Sequence, residues 1–141
     1  MPNASTVFVD TNVLIYAADT RPESAAKMKC ALALLATERV CLSYQVLQEF
    51  FANAIHPRKL RLQPAEAEVW CETWLQYPVA SLGAETFVRA LELIRRYQIS
   101  NWDAGILAAA RQLGCTTLYT EDLNHGQNYD GVQVINPFLG L

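Results

Sequence analysis

Short apolar runs that alternate with helix-like stretches constrain this chain more than any other feature. Thr6-Val7-Phe8-Val9-Asp10 reads as a short buried strand ending on an acid, and Thr11 to Ala18 then turns apolar at helical spacing through Val13, Leu14, Ala17 and Ala18. Glu23 to Ala36 reads as a second helix, with acid at its start and Met28, Ala31, Leu32 and Leu35 on one face. Arg39 to Ser43 is the next strand. Tyr44 to Ile55 follows as a helix that His56-Pro57 stops, because the residue before a proline is pushed out of the helical region. Pro64 suits the first position of a helix running through Trp70 and Trp74. Tyr77 to Leu82 reads as a strand, and Glu85 to Tyr97 as a helix with Phe87, Leu91 and Ile94 along one side. Ser100 begins another helix, Ala104 to Leu113, closed by Gly114 as a C-terminal cap. Thr116 to Tyr119 is a strand, a polar loop runs through Gly131, and Val132 to Ile135 is a last strand before Asn136-Pro137.

Strands alternating with helices predict a mostly parallel sheet covered on both faces. A length of 141 residues suits one domain, 1–141, with a core large enough to need no disulfides. The cysteines, Cys30, Cys41, Cys71 and Cys115, form no C-x-x-C pair and read as reduced, mostly buried small side chains. His56 and His125 are far apart, which gives a His/Cys metal site little support. No apolar run is long enough to cross a bilayer, so no membrane association is expected. The opening Met1-Pro2-Asn3-Ala4-Ser5-Thr6 lacks the basic start and apolar stretch of a signal peptide, which predicts a cytoplasmic protein.

A net charge of −3 argues at first against a nucleic-acid partner. The objection weakens once the acids are sorted. With 14 acidic and 11 basic residues, setting aside four carboxylates for a cation leaves 11 − 10, or +1. Three of the basic residues, Arg58, Lys59 and Arg61, fall within four positions. They read either as a solvated connection between helices or as a grip on nucleic-acid phosphates.

Ligands of open parallel sheets sit beyond the carboxyl ends of the strands. Asp10 follows the first strand, Asp122 comes just after the strand ending near Tyr119, Asp103 sits in the first turn after Ser100, and Glu49 lies in the helix after the second strand. Carboxylates converging there would repel unless a hard divalent cation neutralised them, and magnesium or manganese does so while leaving room for a substrate phosphate. The chemistry this predicts is phosphodiester hydrolysis. Each acid also has a plainer reading. Asp10 can cap the helix starting at Thr11, Asp103 completes an S-x-x-D capping pattern with Ser100, Glu49 can be a solvated helix residue, and Asp122 an ordinary turn residue.

Taken together, four segments resemble PIN-domain nucleases. Val7-Phe8-Val9-Asp10-Thr11-Asn12-Val13-Leu14-Ile15 is similar to the family's opening motif, and Ser43 to Phe50 to the second, with its acid at Glu49. Trp102-Asp103-Ala104-Gly105-Ile106-Leu107-Ala108-Ala109-Ala110 resembles the third, and Leu118-Tyr119-Thr120-Glu121-Asp122-Leu123 the fourth. The ending Asp130 to Phe138 resembles the VapC toxin branch, so the likeness spans nearly the full chain. It implies an α/β/α sandwich and magnesium- or manganese-dependent endonucleolysis of single-stranded RNA. Asp10, Glu49, Asp103 and Asp122 would surround the metal, with Asp10 and Asp103 as direct ligands. Thr11, Asn12 and Thr120 would hold carboxylates and waters in place, and Glu121 is the alternative to Asp122. A homodimer and a cognate antitoxin that blocks the site are also implied. Trp70 and Trp74, four apart on a helix, suit a dimer face or the core equally.

Three other readings stand beside this one. A haloacid-dehalogenase-like phosphatase would want a second acid where Asn12 stands. A receiver-type signalling module would want a late lysine, and none follows Lys59. A catalytically inactive PIN-like binding module would keep the fold and lose the chemistry, whereas here the acids are complete.

Overall fold

The computed structural model describes residues 5–141 and places β1 (Thr6–Val9) inside a six-stranded sheet. The other strands are β2 (Arg39–Ser43), β3 (Val79–Ala80), β4 (Thr117–Tyr119), β5 (Asn128–Tyr129) and β6 (Val132–Ile135), in the spatial order β3-β2-β1-β4-β6-β5. All neighbouring pairs run parallel except β5 with β6. The helices are α1 (Thr11–Ala18), α2 (Ala25–Thr37), α3 (Tyr44–Ala54), α4 (Pro64–Trp74), α5 (Ala84–Tyr97) and α6 (Asn101–Gln112). With α1 to α4 packed as one group and α5 on α6 as another, the chain is a three-layer α/β/α sandwich.

The sequence of connections decides where a site can form. From β1 the chain steps outward to β2 and β3, then α5 and α6 carry it back across to β4 on the other side of β1. The carboxyl ends of β1 and β4 therefore flank a topological switch point, where the loops diverge and leave a crevice. Because both sheet faces are covered, Val7, Phe8 and Val9 are all buried, with Leu42, Leu118 and Val134 beside them in the same core. On the α3–α4 side, Trp74 is only 2% exposed, stacked on Trp70 at 5.4 Å and edge-on to Phe50 at 5.6 Å. Trp74 therefore belongs to the core, with Trp70 packed half-buried against it.

Several boundaries and faces differ from the sequence reading, each for a physical reason. The segment before β6 is not all loop: β5 pairs with β6 through Asp130-Gly131, whose φ values of 51° and 101° suit the two-residue type I′ hairpin turn. A 3₁₀ turn, Pro22–Ser24, precedes α2, so that helix starts at Ala25 rather than Glu23. On α2 the buried residues are Ala31, Leu34 and Leu35, and Leu32 points outward. On α5 the buried face is Thr86, Ala90 and Leu93, while Phe87 is 58% exposed and Leu91 38%. Small residues let α5 lie close against α6, and the larger apolar ones are left on the outer surface. Among the described residues no helix is long and apolar enough to cross a membrane. The signal-peptide reading rests partly on residues 1–4, which lie outside the described residues.

Candidate metal centre

Asp10 ends β1 and caps α1. Its Oδ1 accepts the Thr11 backbone N–H at 2.7 Å, and its Oδ2 accepts the Thr120 hydroxyl at 2.8 Å. Capping and site placement are thus the same geometry, since the N-cap of the helix after β1 is also the carboxyl edge of the sheet. Asp103 is in the first turn of α6, where its N–H donates to the Ser100 side chain at 3.0 Å. Asp122 lies just past β4, with its N–H on Thr120 Oγ1 at 3.1 Å and its Oδ2 accepting from Asn12 Nδ2 at 3.3 Å. One carboxylate oxygen from each of Asp10, Asp103 and Asp122 lies within 4.8 Å of the others.

Glu49 stands beside this trio. Its Oε2 accepts the Thr11 hydroxyl at 2.9 Å and its Oε1 accepts Gln45 Nε2 at 3.3 Å. Glu121, the alternative to Asp122, turns elsewhere: it accepts the Tyr16 hydroxyl at 3.0 Å and faces Lys27 at 3.7 Å. Thr120 is the hub. Its hydroxyl donates to Asp10 and accepts from both Asn12 Nδ2, at 3.1 Å, and the Asp122 N–H.

Burial sets the electrostatics. Asp10 is 4% exposed, and loss of hydration pushes its carboxyl up to about 7, against the lowering pull of the Thr120 and Thr11 hydrogen bonds. The Asp122 and Glu49 charges add to the rise. Burial also raises Asp103, again with Asp122 and Glu49 contributing. A group of oxygens that resists ionisation is one that a cation would stabilise. The donor set is hard and all-oxygen, and the buried Asn12 Oδ1 has no hydrogen-bond partner among the described residues, an acceptor that a water on the cation would satisfy. These residues fit a hard divalent cation.

Asp10, Glu49 and Asp122 open onto a cleft of about 360 Å³ that Glu121, Asn53, Lys59 and Arg21 also line. A larger hollow of about 520 Å³, lined by Glu85, Arg89 and Arg111 among others, has no grouped carboxylates. Of the three basic residues in the connection after α3, Lys59 borders the acidic cleft, while Arg58 and Arg61 do not. Arg61 has φ 56° and donates from Nε to the Pro57 carbonyl at 2.7 Å. His56 and His125 each accept a backbone N–H, from Arg58 and Asn136.

Sequence reasoning missed Gln45. Its Nε2 donates both to Glu49 and to the Trp102 carbonyl, at 3.0 Å, so it ties α3 to the turn that carries Asp103. Gly105 makes this possible, since a Cβ there would sit 2.5 Å from Gln45 Oε1. Two signals were available: Gln45 is four residues before Glu49 on one helix face, and Gly105 interrupts an otherwise alanine-rich helix.

The family model described as PIN domain matches residues 7–130. The chain belongs to the PIN-domain family. Solved PIN-like structures agree on the fold. A Mycobacterium tuberculosis VapC20, a sarcin-ricin loop cleaving toxin, superposes with a TM-score of 0.66 at 22% identity, covering 83% of this chain and 90% of that one. A toxin–antitoxin complex from Klebsiella pneumoniae gives 0.66 at 23% identity, over 95% of this chain and 98% of that one. VapBC2 from Rickettsia felis, bound to a DNA fragment from its promoter, gives 0.63 at 17%, over 92% and 96%. No curated protein sequence matches this PIN domain.

Proposed function

We propose that this PIN domain is a magnesium- or manganese-dependent endoribonuclease that cuts single-stranded RNA and serves as the toxin of a toxin–antitoxin pair. The observation that carries the reading is the meeting of Asp10, Asp103 and Asp122 oxygens within 4.8 Å at the switch point of the sheet. Asp10, Asp103 and Asp122 would hold the cation, and Glu49 would complete the ring through Thr11. A divalent ion there supplies charge neutralisation for a phosphodiester and lowers the pKa of a bound water. The chain's own part is orientation. Thr120 fixes Asp10, Asn12 fixes Asp122, and Thr11 with Gln45 fixes Glu49.

The completeness of the acids favours an active enzyme over an inactive binding module. The phosphatase reading has no support at Asn12, whose side chain is engaged with Thr120 and Asp122. The toxin role, an occluding antitoxin and a cytoplasmic setting rest on the likeness to toxin–antitoxin structures. For a homodimer, the outer surface of α5 with Phe87, Val88 and Leu91 offers a second copy an apolar face. The deciding experiment incubates the purified protein with total RNA, with and without magnesium, and maps the fragment ends. Discrete ends that require both metal and Asp103 support the reading, and intact RNA under both conditions overturns it. Growth arrest on expression, relieved by a neighbouring small gene product, would support the toxin role.

A further inference from the structure

The cleft at the acids also takes two basic side chains, Arg21 and Lys59, into its lining. α1 and α3 both start at the carboxyl edge of the sheet, and their far ends lead to Asp19–Arg21 and to Lys59, which share the cleft with Asp10 and Asp122. An eight-residue helix such as α1 rises about 12 Å, which sets the backbone of Arg21 roughly one helix length from that of Asp10. Arg21 is held by an unusual partner. Asp19 is 1% exposed, and it accepts Arg21 Nε at 2.8 Å, Nη2 at 2.7 Å and the Arg21 backbone N–H at 3.1 Å. A carboxylate is buried this deeply only when its charge is matched, and these bonds match it. The guanidinium itself remains half exposed, with Nε and Nη2 turned to Asp19. The backbone bond to Asp19 alone would pin the turn after α1, so the fork adds a fixed, oriented cation to the wall of an acidic cleft.

We infer that Arg21, locked in place by buried Asp19 and assisted by Lys59, grips a backbone phosphate of the RNA strand that flanks the linkage held at the acids. The inference rests on the nuclease reading above. With a net charge of −3, the molecule as a whole does not draw in a polyanion, so local cations must supply the grip. Arginine suits the task because its planar fork can bond Asp19 along one edge and a phosphate along another. With the length of α1 between its backbone and that of Asp10, Arg21 suits a flanking phosphate rather than the one at the acids. Arg21 would be a binding residue and Asp19 a positioning residue.

The test measures binding of a short, labelled, unstructured RNA by fluorescence anisotropy at several salt concentrations, in an Asp103→Asn background that does not cut. Arg21→Ala is expected to weaken binding about tenfold and to lower the salt slope by about 0.7, one phosphate contact. Arg21→Lys keeps the charge, so it should keep the slope while losing affinity. Asp19→Asn should lose affinity with the slope intact, because the cation remains but is no longer aimed. In the otherwise unaltered enzyme, Arg21→Ala should raise KM by more than it lowers kcat, and the rise in Tm on adding magnesium should stay as it was. Wild-type affinity, slope and KM in Arg21→Ala would overturn the inference while leaving the nuclease reading intact. If the unaltered protein neither binds nor cuts RNA, both fall together.

Discussion

Thr120 Oγ1 donates a 2.8 Å hydrogen bond to Asp10 Oδ2 across the gap between β4 and β1, and with this bond the hydroxyl uses its only proton. Its acceptor capacity is taken by Asn12 and by the Asp122 N–H. The direction of every bond in the hub is therefore set by Asp10 being an acceptor.

That arrangement separates the acids as mutational targets. Asp10→Asn would put an amide N–H or a single acceptor where two acceptors are needed, so it disturbs the hub as well as removing a charge. Asp103→Asn leaves the Ser100 cap on its backbone N–H intact. We expect Asp103→Asn to lower RNA cleavage by orders of magnitude with little change in Tm, measured by fragment mapping beside thermal denaturation.

Thr120→Val removes the hub without changing volume much. The buried Asp10 Oδ2 loses its donor and the part-buried Asp122 N–H its acceptor, and a buried polar group left unpaired costs about 1–3 kcal/mol. The variant should denature at a clearly lower temperature. Isothermal titration should show magnesium or manganese bound roughly 10–100-fold more weakly, the usual range when a partner that orients a ligand is lost.

The pH dependence follows from Asp10. Its carboxyl is raised to about 7 in the fold, above the ordinary aspartate value of 3.8, so the neutral form is favoured in the native state. The stability contributed by that neutral form is fully present below about pH 4 and is lost as pH rises through about 7, by an amount on the order of 4 kcal/mol. Metal-free protein should therefore melt at lower temperature at pH 8 than at pH 5.5. Cation binding needs the ionised carboxylate, so the rise in Tm on adding magnesium should be larger at pH 8. Asp19 acts in the opposite sense: hydrogen bonding from Arg21 lowers it to about 2, and its contribution disappears only in strong acid. Equal magnesium shifts at both pH values would remove Asp10 from the cation site.

Gly105→Ala separates stability from function. Alanine is favoured over glycine in a helix by about 1 kcal/mol, but its Cβ would displace Gln45, which holds Glu49 and the Trp102 carbonyl. The two effects offset each other in Tm, while Glu49 loses one of its supports. We expect a near-wild-type melting curve with reduced cleavage. Gln45→Ala should reproduce the activity loss, and wild-type activity in both would show that the Gln45 bridge does not matter.

On the outer side of the core, Trp74 offers a packing test. Its indole Nε1 is buried without a hydrogen-bond partner among the described residues. Trp74→Phe deletes that unpaired donor along with some volume, so denaturant unfolding should show a smaller loss than the roughly 3–5 kcal/mol expected of Trp74→Ala.

Much of this architecture was legible in the sequence because it depends on local chemistry. Period and punctuation place α1 to α6 and the main strands, and an apolar run such as Val7-Phe8-Val9 can be stable only in a sheet covered on both faces. The acids at strand ends and helix starts, Asp10, Asp103 and Asp122, follow from the same pattern. The hairpin at Asp130-Gly131 reads as loop, because a two-residue strand such as β5 carries almost no periodicity. What the sequence could not decide is which residues meet. Phe87 and Leu91 read as the inner side of α5, yet the close approach of α5 to α6 favours Thr86 and Ala90 there. Glu121 and Asp122 are equivalent on paper, and only the path of the chain after β4 turns one toward Lys27 and the other toward Asn12. Asp19 and Arg21 look like ordinary loop residues until burial makes one charge require the other. Local propensity acts over a few residues, whereas the sheet order that brings β4 beside β1 pairs positions more than a hundred residues apart, and that pairing alone decides which carboxylates share a site.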